Sequence, residues 1–181
     1  MEEYRKQSTI DKTLLLSLKG CVLTNIWMAD SYWHTSAFFE TDRGNFVFET
    51  DEARFRPLFD CENLTLVAKE PKRHLPVAYS GSFCISSIYL GSHAEWLEKD
   101  NDPHPELAGK NAHSQGVGSI GEVPDTAICF AVVEDAVAIF ESDCGAVLVF
   151  EKSSYAPLNI EFLAATEVPM EVSAKYDLKR I

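Results

Sequence analysis

Short apolar runs of β-branched and aromatic residues recur along the chain, and long helical periodicity is scarce. The clearest runs lie at 46–48, 64–67, 85–89, 128–133 and 160–163. Runs of about four to eight such residues, bounded by turn residues, predict β-strands. We therefore expect a mainly β protein whose antiparallel sheets form a sandwich or one strongly bent sheet.

Two segments have the spacing of short helices. One is 2–12, and the other is 93–99, which has Ser92 as its N-cap candidate and Glu95 three residues later. A serine N-cap followed by glutamate at the third helical position is the capping-box pattern. One or two short helices are therefore expected beside the sheets.

The chain contains an internal repeat. Residues 37–44 read Ala-Phe-Phe-Glu-Thr-Asp-Arg-Gly, and residues 138–145 read Ala-Ile-Phe-Glu-Ser-Asp-Cys-Gly. Each copy precedes an apolar run that ends in Phe-Glu, and the second copy has one extra residue, which a β-bulge would absorb. Asp-x-Gly between apolar runs is typical of a hairpin turn, because glycine takes the left-handed conformation that closes it.

A second match lies upstream of each hairpin, at 21–27 and 83–89. Two matches in the same order favour a single domain, 1–181, with related halves at about 13–70 and 82–166. The second half has extra residues at about 91–124, a segment rich in glycine and histidine. We expect this insertion to be a loop, and long loops in compact domains are usually functional or disordered.

Composition limits the class of protein. The 181 residues include 16 Lys and Arg against 28 Asp and Glu, which gives a formal net charge of −12, and 46% are hydrophobic. That apolar content excludes a disordered acidic tail. The charge excludes a bare nucleic-acid binder, because such a protein needs cations to displace counterions from phosphates.

The sequence also predicts a compartment. Its start has neither the basic nor the apolar region of a signal peptide. The longest apolar runs, 127–133 and 146–150, are far shorter than the roughly 20 residues of a membrane helix. The five cysteines are unevenly spaced and include no C-x-x-C pair, which disfavours a disulfide framework or a zinc ribbon. We expect a soluble cytoplasmic protein with reduced thiols and no membrane contact.

Acidic residues are concentrated in the second half, and no Lys or Arg occurs at 111–151. A negative field speeds association with a cationic protein. Exposed aromatic residues are a second candidate contact, because Tyr and Trp are enriched at interface hot spots. The expected partner-binding residues are Asp100, Asp102, Glu106, Glu122, Asp125, Glu134, Asp135 and Asp143, together with Tyr32 and Trp33.

Candidate catalytic and metal-binding residues are present, but they match no established motif. His93, His104 and His113 lie near several carboxylates in one segment, yet their spacing is not that of a zinc site. No G-x-S-x-G nucleophile motif occurs, and the glycines at 116–121 lack the spacing of a phosphate-binding loop. We therefore expect no catalytic residue, no bound metal and no cofactor.

The hairpins at 39–48 and 140–150 are of the type F-x-T-D-x-G-x-[FV]. With the small size, the acidic second half and the missing catalytic signature, they resemble the immunity proteins of bacterial toxin–immunity systems, in particular those of contact-dependent inhibition. The resemblance implies a cytoplasmic protein that binds a cognate toxin, often a nuclease, and blocks its active site. Nuclease toxins are cationic because their substrate is polyanionic, so an acidic protein can compete for that surface.

Two alternative functions stay open. A metal-binding enzyme would use the His and Asp residues of 91–124. A small-molecule-binding β domain would hold its ligand in a pocket between the halves. Glu40 and Glu141, which the repeat relates, are the carboxylate pair that a glycosidase would need, but strand glutamates just before a turn usually face solvent.

Overall fold

The protein is mainly β, as the sequence predicts. The structure is a computed structural model, and it describes residues 1–28, 36–55, 59–99, 113–152 and 160–181. The helices and strands of these residues are β1 (Glu2–Lys6), α1 (Lys12–Ser17), β2 (Val22–Met28), β3 (Ala37–Thr41), β4 (Gly44–Phe55), β5 (Phe59–Ala68), β6 (Val77–Cys84), β7 (Ser87–Lys99), β8 (His113–Gly118), β9 (Ala127–Glu141), β10 (Val147–Lys152), β11 (Ile160–Ala165), α2 (Met170–Lys175) and β12 (Asp177–Arg180).

The strands form two sheets. The first has the order β5-β4-β3-β2-β6, and the second has the order β11-β10-β9-β7-β12. In the second sheet, β8 pairs antiparallel with β7, and β1 pairs parallel with β9. One edge of β9 pairs with β7 along most of the length of β9. The other edge pairs with β1 at residues 129–133 and with β10 at residues 137–141.

The two sheets repeat the same arrangement. In each, four neighbouring antiparallel strands are followed by a fifth strand that pairs with the first of the four, and in the second sheet β8 is inserted after the first strand. Positions that the sequence repeat relates also occupy the same place in the register. The equivalent cross-strand pairs are Ile26–Phe39 and Ile88–Phe140, Ala37–Phe48 and Ala138–Phe150, and Phe48–Leu66 and Phe150–Phe162. The repeat in the sequence is therefore also a repeat in the structure.

The extra residue of the second copy lies in the hairpin turn. Thr41 pairs with Gly44, whereas Glu141 pairs with Val147, so the second turn is longer. The turn absorbs the extra residue, and the register of the flanking strands continues unchanged. The Gly145 amide donates to the Ser142 carbonyl and the Ser142 amide donates to the Ala146 carbonyl, both at 2.9 Å, which is the pattern of a three-residue loop closed by a glycine bulge. Gly44 has a φ of 144° and its counterpart Gly145 a φ of 85°, which glycine adopts without a steric penalty.

Two short helices form, as the sequence predicts, but neither lies at a predicted position. Residues 2–6 are β1, and the first helix begins only at Lys12, with Asp11 as its N-cap accepting a hydrogen bond from the Leu14 amide at 2.9 Å. Residues 93–99 lie inside β7, where pairing with β9 overrides the capping-box pattern. Within the described part of the chain, no helix is long and apolar enough to cross a membrane.

The predicted loop at 91–124 is largely a β-hairpin where the structure describes it. β7 continues to Lys99, and β8 pairs with its last residues. The glycines of β8 suit this strand because Trp96 lies over Gly116, where a Cβ atom would come within 2.2 Å of the indole ring. An aromatic side chain that covers a cross-strand glycine stabilises such a pair. Residues 100–112 lie outside the described residues.

Phenylalanine rings from both halves form the centre of the core between the sheets. Phe39 and Phe48 come from the first sheet, and their repeat equivalents Phe140 and Phe150 come from the second. Ring centroids within this group of four lie 4.9–5.9 Å apart. All four side chains are fully buried. The two sheets are therefore joined by the same residues that define the repeat.

Replacing either ring of a cross-sheet pair is expected to destabilise the fold strongly. Phe140→Ala and Phe39→Ala should each lower the free energy of unfolding by about 3–5 kcal/mol, because each leaves a cavity between the sheets. The centroids of these two rings are 5.8 Å apart, so the double variant should show a coupling of about 0.5–1.5 kcal/mol. Urea unfolding followed by circular dichroism measures all three values.

Ile128→Ala is the control for these core variants. Ile128 lies on β9 but is 45% exposed, so its replacement should change the free energy of unfolding by less than about 0.5 kcal/mol. Strictly additive losses for Phe39→Ala and Phe140→Ala would contradict a shared aromatic core.

Candidate functional site

A bulge in the middle of β9 creates the most unusual local geometry in the described chain. Gly91 of β7 pairs with Val137 of β9, and His93 pairs with Val133. Between these two pairs β7 has one residue, Ser92, whereas β9 has three, 134–136. The extra residues force Asp135 to a φ of 53°, the one positive φ of a non-glycine residue among those described. Positive φ is rare outside glycine, although Asp and Asn adopt it more readily than other residues.

The bulge opens onto a cavity of about 220 Å³. Its walls come from β1, α1, β7, β9, β12 and the short 3₁₀ turn Ile120–Glu122. Apolar side chains such as Leu90 and Val132 line part of it. Three carboxylates and three cations complete the lining, namely Glu134, Asp135 and Asp177 with Arg5, Lys12 and Lys179.

Two of these carboxylates, Glu134 and Asp177, accept hydrogen bonds from described donors. Glu134 accepts a hydrogen bond from the Arg5 guanidinium at 2.9 Å and another from the Ser8 amide at 3.2 Å. The Ser8 amide and the Arg5 charge together lower the pKa of Glu134. Asp177 accepts a hydrogen bond from the Ile120 amide at 2.8 Å, which ties β12 to the 3₁₀ turn.

Asp135 differs from both neighbours. It is only 7% exposed, and its buried Oδ2 atom has no hydrogen-bond partner. The nearest described cation is the Lys12 ammonium, whose Nζ lies 3.7 Å from Oδ2, beyond hydrogen-bond distance. A buried carboxylate oxygen without a donor is costly, so Asp135 has unused capacity to accept a hydrogen bond.

The structure separates the other predicted partner-binding acids. Glu122 is exposed and accepts a hydrogen bond from the Ser119 amide at 3.0 Å. Asp125 and Asp143 are also exposed, but they lie beyond opposite ends of β9. Only Glu134 and Asp135 come together. The remaining predicted residues lie outside the described residues: Asp100, Asp102, Glu106, Tyr32 and Trp33.

A second polar group, which the sequence does not reveal, lies buried on the other face of the second sheet. The Glu95 carboxylate lies 3.0 Å from His93 Nε2 and accepts a hydrogen bond from Lys152 at 2.8 Å. All three residues are less than a tenth exposed. His93 is therefore not a ligand in a solvated loop, and no cluster of three metal-ligating side chains occurs among the described residues.

Burial sets the protonation of this group. It lowers the pKa of His93, so the imidazole is neutral and its Nε2–H donates to Glu95. Burial by itself would raise the pKa of Glu95, but the His93 hydrogen bond and the Lys152 charge outweigh it and lower the pKa to about 2. The result is an ionised carboxylate held by one neutral and one cationic donor.

The group continues under α2. The Tyr176 ring meets His93 edge-on, with centroids 5.4 Å apart. Burial raises the pKa of Tyr176 and of Glu151, and it lowers the pKa of Lys175. These are the residue types of an acid–base site, but His93, Glu95 and Tyr176 are almost fully buried. These contacts join the end of α2 and the start of β12 to the second sheet.

No protein-family model, no curated protein and no solved structure matches this chain. The functional assignment therefore depends on the geometry of its own residues.

The carboxylates related by the repeat each bind within their own sheet. Glu40 accepts hydrogen bonds from Asn25 and Arg73, both at 3.0 Å. Glu141 accepts one from the Tyr89 hydroxyl at 2.9 Å. Each glutamate is thus partly buried and hydrogen-bonded rather than directed into open solvent.

Acidification is expected to destabilise the protein through His93 and Glu95. The pKa of His93 is lower in the folded state than its ordinary value of 6.5, so the unfolded chain takes up that proton first and stability falls below about pH 6.5. Glu95 contributes fully above its ordinary 4.5, and this contribution is lost as the pH falls toward about 2. Urea unfolding at a series of pH values measures both losses.

His93→Gln isolates the first loss. Glutamine can still donate to Glu95 but does not titrate, so its free energy of unfolding should change less between about pH 7 and pH 5 than that of the unchanged protein. His74→Gln, at an exposed position, is the matched control. Identical pH dependence in all three proteins would show that His93 is not held neutral.

Proposed function

We propose that this protein is an immunity protein, an acidic inhibitor that binds a basic toxin in the cytoplasm and blocks its action. The observation that carries the proposal is the exposed charge of the second half. Among the side chains described in the second half and in the segment that follows it, at 82–98, 116–152 and 160–181, Lys179 and Arg180 are the only exposed cations. Six carboxylates are exposed in the same ranges: Glu122, Asp125, Asp143, Glu161, Glu167 and Glu171.

The rest of the chain has a mixed surface. Its exposed cations include Arg43, Lys69, Lys72 and Arg73, and they alternate with exposed acids such as Asp42 and Glu70. The excess of negative surface charge therefore lies on the second sheet and the segments that connect its strands. Such a field steers a basic protein into one orientation and raises its rate of association. Fast, oriented association is what an inhibitor of a toxin needs.

A nuclease fits this surface for a physical reason. An enzyme that acts on nucleic acid carries a cationic surface to hold the phosphates. An acidic protein that covers this surface excludes the substrate without binding nucleic acid itself.

The cavity beside Asp135 gives little support to the small-molecule alternative. Pockets for drug-sized ligands measure about 300–1,000 Å³, whereas the cavity beside Asp135 measures about 220 Å³. It has room for one side chain or a small ion, and it lies at the second sheet rather than between the halves.

The decisive experiment is capture followed by a growth test. Tagged protein retrieves partners from its native host at low salt, and mass spectrometry identifies them. We expect a stoichiometric basic protein that dissociates at high salt. The captured basic protein should arrest growth when it is expressed alone, and co-expression of the acidic protein described here should restore growth. A captured protein that is harmless when expressed alone would contradict the immunity function.

Charge reversal in the second half is expected to weaken that complex. Glu122→Lys with Asp125→Lys should lower the association rate with the captured toxin by about tenfold at low salt and by less at high salt. Surface plasmon resonance at two ionic strengths measures both rates.

The matched control carries the same change in net charge in the first half, at exposed Asp42 and Glu70. Asp42→Lys with Glu70→Lys should leave the association rate nearly unchanged. Equal slowing by both double variants would show that total charge, and not the second-half surface, drives association.

A further inference from the structure

We propose that the cavity beside Asp135 binds a cationic group, and that in the complex this group is an arginine or lysine side chain of the partner protein. The identity of the partner's side chain rests on the function proposed above. The cation site itself rests on the cavity alone.

The unsatisfied carboxylate oxygen is the first support. Asp135 Oδ2 is buried without a hydrogen bond, and an ionised carboxylate can only accept. Its missing partner must therefore be a donor. A guanidinium or an ammonium supplies N–H groups and a positive charge together, which makes the hydrogen bond shorter and stronger than a neutral one.

The charge balance of the lining is the second support. Arg5 neutralises Glu134 at 2.9 Å, and Asp177 already accepts the Ile120 amide. Lys12 is the only described cation near Asp135 Oδ2, and its side chain is 58% exposed. Lys12 can swing into solvent at little cost, so an incoming cation exchanges for it and leaves the net charge of the cavity unchanged.

The backbone of the bulge is the third support. Strained backbone geometry persists only where the surrounding structure enforces it, and it concentrates at ligand sites. The wide bulge opposite Ser92 and the φ of 53° hold the Asp135 carboxylate in the cavity wall. The Asp135 amide donates to the Ser92 hydroxyl at 3.4 Å, so the backbone of the bulge at Asp135 is held to β7.

Titration with methylguanidinium chloride tests the site without a partner. The NMR amide signals of Ser92, Glu134 and Asp135 should shift saturably with a dissociation constant of about 1–10 mM, whereas equal NaCl should not reproduce the shifts. Shifts that never saturate, or that NaCl reproduces, would overturn the site.

Three variants give results of different sign. Asp135→Asn keeps a residue type that tolerates positive φ, so it should fold normally and bind methylguanidinium at least tenfold more weakly. Asp143→Asn, at an exposed turn, should bind as the unchanged protein does. Lys12→Met removes the competing ammonium and should bind more tightly. Unchanged affinity in Asp135→Asn, or weaker binding in Lys12→Met, would contradict the exchange of cations.

Binding of the captured toxin tests whether a side chain of the partner protein occupies the cation site. Asp135→Asn should weaken its binding at least tenfold through faster dissociation, because a buried anchor chiefly affects the off-rate. If Asp135→Asn binds the toxin normally while Glu122→Lys with Asp125→Lys does not, the proposed function stands and the anchoring role of Asp135 is wrong. If methylguanidinium binds at Asp135 but no toxin is captured, the cation site stands and its assignment to a toxin side chain is overturned.

Discussion

Contact between phenylalanine rings of the two sheets is the interaction on which the rest of the structure depends. Each sheet would expose an apolar face if it stood alone, and the rings at equivalent positions of the repeat cover both faces at once. Aromatic rings at 5–6 Å interact favourably in addition to their burial. Leu90 belongs to this core and also lines the cavity. The packing of the sheets therefore fixes one wall of the proposed cation site.

The bulge at Asp135 shows how a repeated architecture can acquire a site in one half only. The two sheets share their strand order and the register of their hairpins, but β7 and β9 extend beyond the repeat and pair with β8 and β1. Extension alone would give a longer regular ladder. The bulge interrupts that ladder where the repeat ends, and bulges of this kind commonly re-aim a side chain. Function can be placed there without altering the shared aromatic core.

The sequence was sufficient for features that depend on local pattern. Short β-branched runs and the Asp-x-Gly turns predicted the strands and both repeated hairpins, because these signals lie within a few residues of one another. The sequence was insufficient where pairing between strands that are distant in the chain decides the local structure. The alternation that buries His93 and Glu95 resembled a helix start, and the cover that Trp96 gives Gly116 was invisible without the register. Charge drew attention to Glu134 and Asp135, which line the same cavity, and their binding of a partner stays a prediction. That Asp135 is buried follows from the pairing of β7 with β9, which no local pattern encodes.

The parallel pairing of β1 with β9 has a consequence for the order in which the molecule is made. Glu2 is aligned with Cys129, so β1 has no partner until the chain has been synthesised as far as β9. The first sheet, by contrast, is built from residues 22–84 and can assemble early. Such distant pairing is slow to form. Because the cavity is lined by Arg5 of β1 and by Lys179 of β12, the proposed cation site can form only after both strands have been synthesised and have joined the second sheet.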